Sequence, residues 1–227
     1  MKGAIRRVIS LILIVLVLAS TLTITSCNRK YDEAEVLEAA ERLMKSAETL
    51  NFVYYGSGIE YFDSEQNSRY KIANPAHLKT LGFSTIDELM DMTEKTFSVG
   101  YANTVYSTVL YTLRDDDKIV SYARYYQAYD ENTNEPTHIM VYSSYPYMLK
   151  SSIEYDYSTL RVEGSKKENV NLLIDAKVTN SDGASQITTI TISLIEEENG
   201  WRIDNPTYAN YNAYKDRYDE LKDKDFK

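Results

Sequence analysis

The chain has 227 residues, 34 Asp+Glu against 25 Lys+Arg, a formal net charge of −9 and one cysteine. That length suits one well-packed domain or two small ones; the charge works against nucleic acid and anionic wall polymers as ligands and favours cationic partners; a lone thiol excludes an internal disulfide and any CxxC site. Tyrosine is the oddity, 21 residues beside one Trp and five Phe, which suits either an antiparallel sheet with a half-wet face or an adhesive surface, because a phenol packs its ring while its hydroxyl stays with water or a partner.

The N-terminus reads "MKGAIRRVISLILIVLVLASTLTITSC". Lys2, Arg6 and Arg7 precede an apolar stretch from Val8 to Ala19, short for a bilayer span of about 20 residues and laid out like a secretory signal. The alternative is an uncleaved anchor over Val8 to Ile24. The residues "ITSC", an aliphatic residue and two small ones before cysteine, resemble the lipobox of bacterial lipoproteins. That resemblance implies a signal peptide over 1–26, a diacylglycerol on Cys27 and a tether over 27–32. The protein is then held at the outer face of the bacterial cytoplasmic membrane, in the cell envelope, with the lipid on Cys27 as its membrane contact. Two acyl chains anchor stably because each buried methylene contributes about 0.8 kcal/mol. Loss of residues 1–26 removes three basic and no acidic residues, leaving 22 Lys+Arg against 34 Asp+Glu, a net charge of −12.

A domain is expected over 33–208. "DEAEVLEAAERLMKSAETL" places Val36, Leu37, Ala40, Leu43, Met44, Ala47 and Leu50 at amphipathic-helix spacing, with acidic residues in the first turn. From Asn51 to Leu81 the pattern is irregular and aromatic, and reads as short extended pieces broken at "GSG" and "NP". "STIDELMDMTEKTF" predicts a helix opened by a Thr85–Glu88 capping box, with Ile86, Leu89, Met90, Thr93 and Phe97 on one face. "YANTVYSTVLYTL" predicts another, with Ala102, Val105, Tyr106, Val109, Leu110 and Leu113 on its stripe.

After "RDDDK" the period changes to two, and strands are expected in "KIVSYARYYQAY", "THIMVYSSY", "YDYSTLRVEGS", "NVNLLIDAKVT" and "QITTITISLIEEE", closed by "WRIDNPTY". Short polar turns between them predict an antiparallel meander. The fold class is therefore α+β, N-terminal helices packed on a curved antiparallel sheet. The polar tail 209–227 holds a candidate last helix from Ala213 to Lys222.

Catalytic signatures are absent: HExxH, GxSxG and GK[ST] do not occur, and His77 and His138 stand apart from any partner at a metal-ligand spacing. "DDD" at 115–117 and "EEE" at 196–198 flank turns, as solvated charge runs do. "DENTNE" at 130–135 lacks the sixth-position Gly and twelfth-position Glu of an EF-hand loop. The expectation is a binding protein, not an enzyme, with no metal and no cofactor.

"STIDELMDMTEKTFSVGYANTVYSTVL" resembles the middle of bacterial DL-endopeptidase inhibitor-like proteins of the IseA type, and "EENGWRIDNPTY" resembles the last strand of that family and of many NTF2-like lipoproteins. Together the two cover about residues 50–208. The first resemblance implies an IseA-like fold and a non-enzymatic protein seated in the cleft of a basic peptidoglycan hydrolase. Asp115, Asp116 and Asp117, in a loop before the first expected strand, are then the candidate contacts. The second implies an NTF2- or cystatin-like cone holding a small ligand or peptide, with Tyr122 and Tyr126 lining its pocket.

Overall fold

In a computed structural model, residues 31–62, 69–115, 118–145, 152–166, 169–179 and 183–208 are described. The signal stretch, Cys27, Asp116, Asp117 and the 209–227 tail lie outside them. Asp32 caps the first helix, α1 (Glu33–Tyr55), its carboxylate accepting the Ala34 N–H at 2.9 Å. The expected stripe is buried: Val36, Ala40, Leu43, Met44, Ala47 and Leu50 are at most 1 % exposed. The helix runs five residues past its expected end, through Asn51 to Tyr55, because Val53 and Tyr54 prolong the stripe and are fully buried. Core packing here overrides the modest helix propensity of "NFVYY".

Strand β1 (Tyr70–Ile72) leads into α2 (Pro75–Leu81). This helix corrects the reading of "NP" as a break. Asn74 is its N-cap, accepting the Ala76 N–H at 3.0 Å, and Pro75 takes the first helical position, where a missing N–H costs nothing. Helix α3 (Ile86–Thr96) opens as expected on Thr85, which accepts the Glu88 N–H at 3.1 Å; the Glu88 carboxylate reaches back one residue further, to the Ser84 N–H at 2.6 Å and hydroxyl at 2.7 Å. These bonds hold the Glu88 carboxyl below its ordinary pKa. Helix α4 (Val99–Val109) starts two residues earlier than expected, on the Ser98 cap, and ends before Leu110. Leu113 belongs to the next strand.

The remaining strands are β2 (Leu113–Asp115), β3 (Lys118–Ser121), β4 (Tyr125–Tyr129), β5 (Pro136–Tyr142), β6 (Ser152–Lys166), β7 (Asn169–Thr179), β8 (Ser185–Glu197) and β9 (Gly200–Ile203). The fold is α+β, with antiparallel pairing throughout these strands. Among the described residues the strands do not form one continuous sheet. Strands β6-β7-β8-β9 make the expected meander, β1-β5-β4 make a separate three-stranded sheet, and β2-β3 form a hairpin. The expected strand "KIVSYARYYQAY" splits at Tyr122–Arg124, its first half pairing with β2 and its second with β5. Arg124 causes the break: its side chain is wanted in the interior, beneath the end of α1.

On the meander, Val170, Leu172, Ile174, Ala176 and Val178 face inward with Ile190, Ile192 and Leu194, as the alternation predicts. All but Val178 belong to one buried core with the α1 stripe, in which each fully buried aliphatic side chain contributes about 1.5–3 kcal/mol. Strand β6 has register shifts between Asp156 and Arg161 and between Val162 and Gly164, irregularities of the kind that bend a strand. At the first shift the Thr159 hydroxyl takes the Asp175 N–H at 2.8 Å, replacing a ladder bond. Glu197, expected in a solvated charge run, instead accepts the Val99 N–H at the start of α4, where the helix dipole favours an anion. Past β9 the chain returns to α1: Asn51 Nδ2 donates to the Thr207 hydroxyl at 2.8 Å, and Tyr155 donates to the Thr207 carbonyl at 2.5 Å.

Buried tyrosines give the core a pH limit. Burial raises the Tyr54 and Tyr155 hydroxyls well above the ordinary tyrosine value of 10.0 and pushes Tyr125 up to about 12. A raised folded-state pKa leaves stability intact below pH 10; above it the unfolded chain loses protons that the folded chain retains, so stability falls. An absorbance titration at 295 nm should therefore show a late, cooperative step coincident with loss of circular dichroism. Smooth ionisation of all tyrosines with the fold intact would contradict the burial described.

Candidate functional site

In the three-stranded sheet, Tyr70 stands opposite Tyr142, and Met140 opposite both Ile72 and Tyr126. Tyr125, Ile139 and Val141 alternate with them and are buried, so the first set shares the outward face. Among the described residues no helix covers it: Tyr126 remains 41 % exposed and Ile72 42 %.

Tyr70 lies at the centre of this face. Its ring meets Tyr126 edge-on with centroids 4.7 Å apart and Tyr142 tilted at 5.5 Å; Tyr142 continues to Tyr122 at 5.5 Å and to Tyr145 at 6.4 Å. Arg69 lays its guanidinium over the Tyr122 ring at 4.0 Å. Edge-to-face and tilted contacts of this kind add about 0.5–1.5 kcal/mol per pair beyond buried area. Two hydroxyls fix the cluster to the backbone below: Tyr70 donates to the Ala123 carbonyl at 2.8 Å, and Tyr145 to the Thr108 carbonyl at 3.2 Å. Burial, and then the neighbouring phenols, raise the Tyr70 pKa, so it stays neutral and a donor.

Beneath the platform sits a clamp. Arg124, 3 % exposed, donates from Nη1 to the Tyr54 carbonyl at 2.8 Å and from Nη2 to the Gly56 carbonyl at 2.7 Å. Tyr125 donates to the Val53 carbonyl at 2.7 Å and accepts the Ile59 N–H at 3.2 Å. A guanidinium fork thus satisfies carbonyls that the end of α1 leaves unpaired, at its negative dipole end. The start of β4, and the tyrosine face with it, is locked to the C-terminal end of α1.

The expected site residues fall in two groups. Tyr122, half-buried, and Tyr126 both belong to the tyrosine face, and both turn toward the surface; the inward residue of that segment is Tyr125. Asp115 ends β2, in register with Lys118 of β3, and the two positions between them are Asp116 and Asp117. The open end of this hairpin adjoins the face, since β3 runs into Tyr122 and the Ala123 N–H bonds the Thr112 hydroxyl at 3.2 Å; the aspartate positions are toward its other end. His77 accepts the Glu60 N–H through Nδ1 at 2.9 Å and stands edge-on to Phe52, a packing role. Asp130 accepts the Asn132 and Thr133 N–H groups within the β4–β5 turn, bonds that hold its carboxyl below the ordinary value. Tyr70, Tyr142, Arg69 and Arg124 were not singled out by sequence. For the first two the signal was there, in tyrosines that alternate with inward residues; Arg124 announces itself only as a charge inside an aromatic run.

The space between α1 and the meander is taken up by Leu43, Met44, Tyr54, Leu172, Ile174 and Ile192, each under 2 % exposed. A cleft of about 520 Å³ lies outside it, where α2 and the start of α3 meet β5, with Leu78, Phe83 and Ile139 at its floor and Lys79, Glu88 and His138 at its rim. Among the described residues no group of three or more His, Cys, Asp or Glu could hold a metal ion, and no helix is long and apolar enough to cross a membrane. By architecture this is an α+β protein whose three-stranded sheet presents an aromatic outward face. Compared with family models, curated proteins and solved structures, the chain matches none of them.

Proposed function

We propose that this chain is a lipid-anchored, non-enzymatic docking protein of the bacterial cell envelope, which restrains a basic peptidoglycan endopeptidase through its tyrosine face and the adjoining β2–β3 hairpin. The observation that carries the reading is the pre-organised, outward row Tyr126–Tyr70–Tyr142, with the open end of the β2–β3 pair beside it; Asp115 ends β2 and Asp116 and Asp117 follow it in the sequence. Tyrosine and arginine are the residues interfaces favour, and rings already held in place lose little freedom on docking. A mature charge of −12 steers the chain toward a cationic partner and lets like-charged wall polymer drift away. The alternative, an NTF2-like protein for a small ligand or peptide, would use the cleft beside α2, because the sheet interior is filled.

The test is inhibition of a peptidoglycan endopeptidase by the full chain at low and high salt. Inhibition should weaken as salt rises. Tyr126→Ser combined with Tyr142→Ser should raise the inhibitory concentration about 30-fold or more, as loss of central interface anchors costs about 2 kcal/mol or more. Neutralising Asp115, Asp116 and Asp117 to Asn should chiefly slow association and flatten the salt dependence. Inhibition that is absent, or indifferent to both sets of changes, rejects the reading. Separately, Cys27→Ala should release the protein from the membrane fraction; continued partitioning would reject the lipid anchor.

A further inference from the structure

The tether and the tyrosine face lie at opposite ends of one helix. Asp32, the cap of α1, follows Cys27 by five residues, a reach of at most about 18 Å even fully extended. Helix α1 then runs 23 residues to Tyr55, about 34 Å. At that far end the Val53, Tyr54 and Gly56 carbonyls are held by Tyr125 and Arg124, next to Tyr126 on the outward face. The solvent side of the helix is acidic: Glu33, Glu35, Glu38, Glu41 and Glu48 outnumber Arg42 and Lys45. An anionic lipid surface repels that side, which disfavours resting it on the bilayer.

We infer that α1 acts as a strut, holding the tyrosine face roughly 30 Å or more outward from the lipid surface, so that its partner is a protein of the wall layer and not a lipid or a membrane-embedded chain. This rests on the lipid at Cys27 and on the docking role of the face. A spacer of this length keeps a lipid-anchored protein within reach of hydrolases working on the wall while the bilayer stays clear of the interface.

The full lipidated chain offers no competing thiol, because Cys27 carries the lipid, so single cysteines can be introduced at two exposed positions, Ala34→Cys in the first turn of α1 and Tyr126→Cys on the face. Each is labelled with a fluorophore and reconstituted into vesicles containing anionic lipid and a headgroup acceptor, with circular dichroism confirming the fold. Energy transfer to the acceptor should be about fivefold weaker or less from position 126 than from position 34, given the separation set by the length of α1. Equal transfer, or stronger transfer from position 126, overturns the strut. Protein that fails to float with the vesicles rejects the anchor, and this inference falls with it. Loss of the docking role shows itself elsewhere, as inhibition that survives Tyr126→Ser with Tyr142→Ser.

Discussion

Replacing Arg124 with methionine is expected to lower the melting temperature by about 6–12 °C, a loss of about 3 kcal/mol at 2–4 °C per kcal/mol for a domain of this size. The side chain is 3 % exposed and satisfies two buried carbonyls, Tyr54 and Gly56, with a third, Val53, held by its neighbour Tyr125. Each orphaned buried acceptor costs about 1–3 kcal/mol, partly offset because methionine no longer buries a charge. Among the described residues no carboxylate pairs with Arg124, and its Nε has no partner. The charge is therefore compensated by carbonyl dipoles, the end of α1, and the Tyr125 and Tyr145 rings at 5.3 and 5.1 Å. Arg124→Lys separates geometry from charge. One ammonium on a shorter reach cannot reproduce the fork, so lysine should recover less than half of the loss. Thermal melts in which lysine behaves as wild type, or methionine is neutral, would show that the fork is not what locks β4 to α1.

Gly58→Ala should be nearly as damaging, by about 3 kcal/mol, for two reasons that can be told apart. Gly58 has φ +78°, in the left-handed region, where a Cβ costs about 1–2 kcal/mol. A Cβ there would also overlap the Arg124 guanidinium and the Tyr125 hydroxyl. Gly82, the C-cap of α2 at φ +90°, has no heavy atom within 4 Å of a Cβ, so Gly82→Ala reports the backbone cost alone. The difference between the two is the overlap. In an Arg124→Met background that difference should shrink, because the groups share a contact and their effects do not add. Additive losses would mean that Gly58 and Arg124 do not meet as described.

Much of the architecture was legible because periodicity and capping are local. The stripe of α1, the Thr85 cap of α3 and the inward row Val170–Val178 of β7 follow from spacing alone, and the structure bears them out. Where a decision depends on distant partners, sequence reading failed. The tail of α1 from Asn51 to Tyr55 buries Val53 and Tyr54, and Arg124, Tyr125 and Thr207 meet its carbonyls and side chains from across the fold. The break of one expected strand into β3 and β4 has the same origin. Helix α2 was missed for a different reason: Asn-Pro serves equally as a turn signal and as a cap followed by the first helical residue, and seven residues carry too little periodicity to decide.

The site was partly legible. Tyr122 and Tyr126 were picked out as pocket-lining residues, and both fall in the aromatic cluster. Their side chains turn outward, because at a strand period of two the facing of a whole segment depends on which tyrosine the core claims, and it claims Tyr125. Composition had already set the two readings of tyrosine side by side, sheet face or adhesive surface. The sheet-face reading describes what is seen: the three-stranded sheet presents its tyrosines half-buried against each other and half-exposed to solvent.

The central claim, that the tyrosine face is where a partner docks, is most directly tested by hydroxyl-radical footprinting of the full chain alone and bound to a peptidoglycan endopeptidase. Protection concentrated on Tyr70, Tyr126 and Tyr142, with the hydroxyl-rich outer face of the meander at Thr189 and Ser193 unchanged, is the predicted result. Protection of the meander face with the three tyrosines still fully reactive would contradict it.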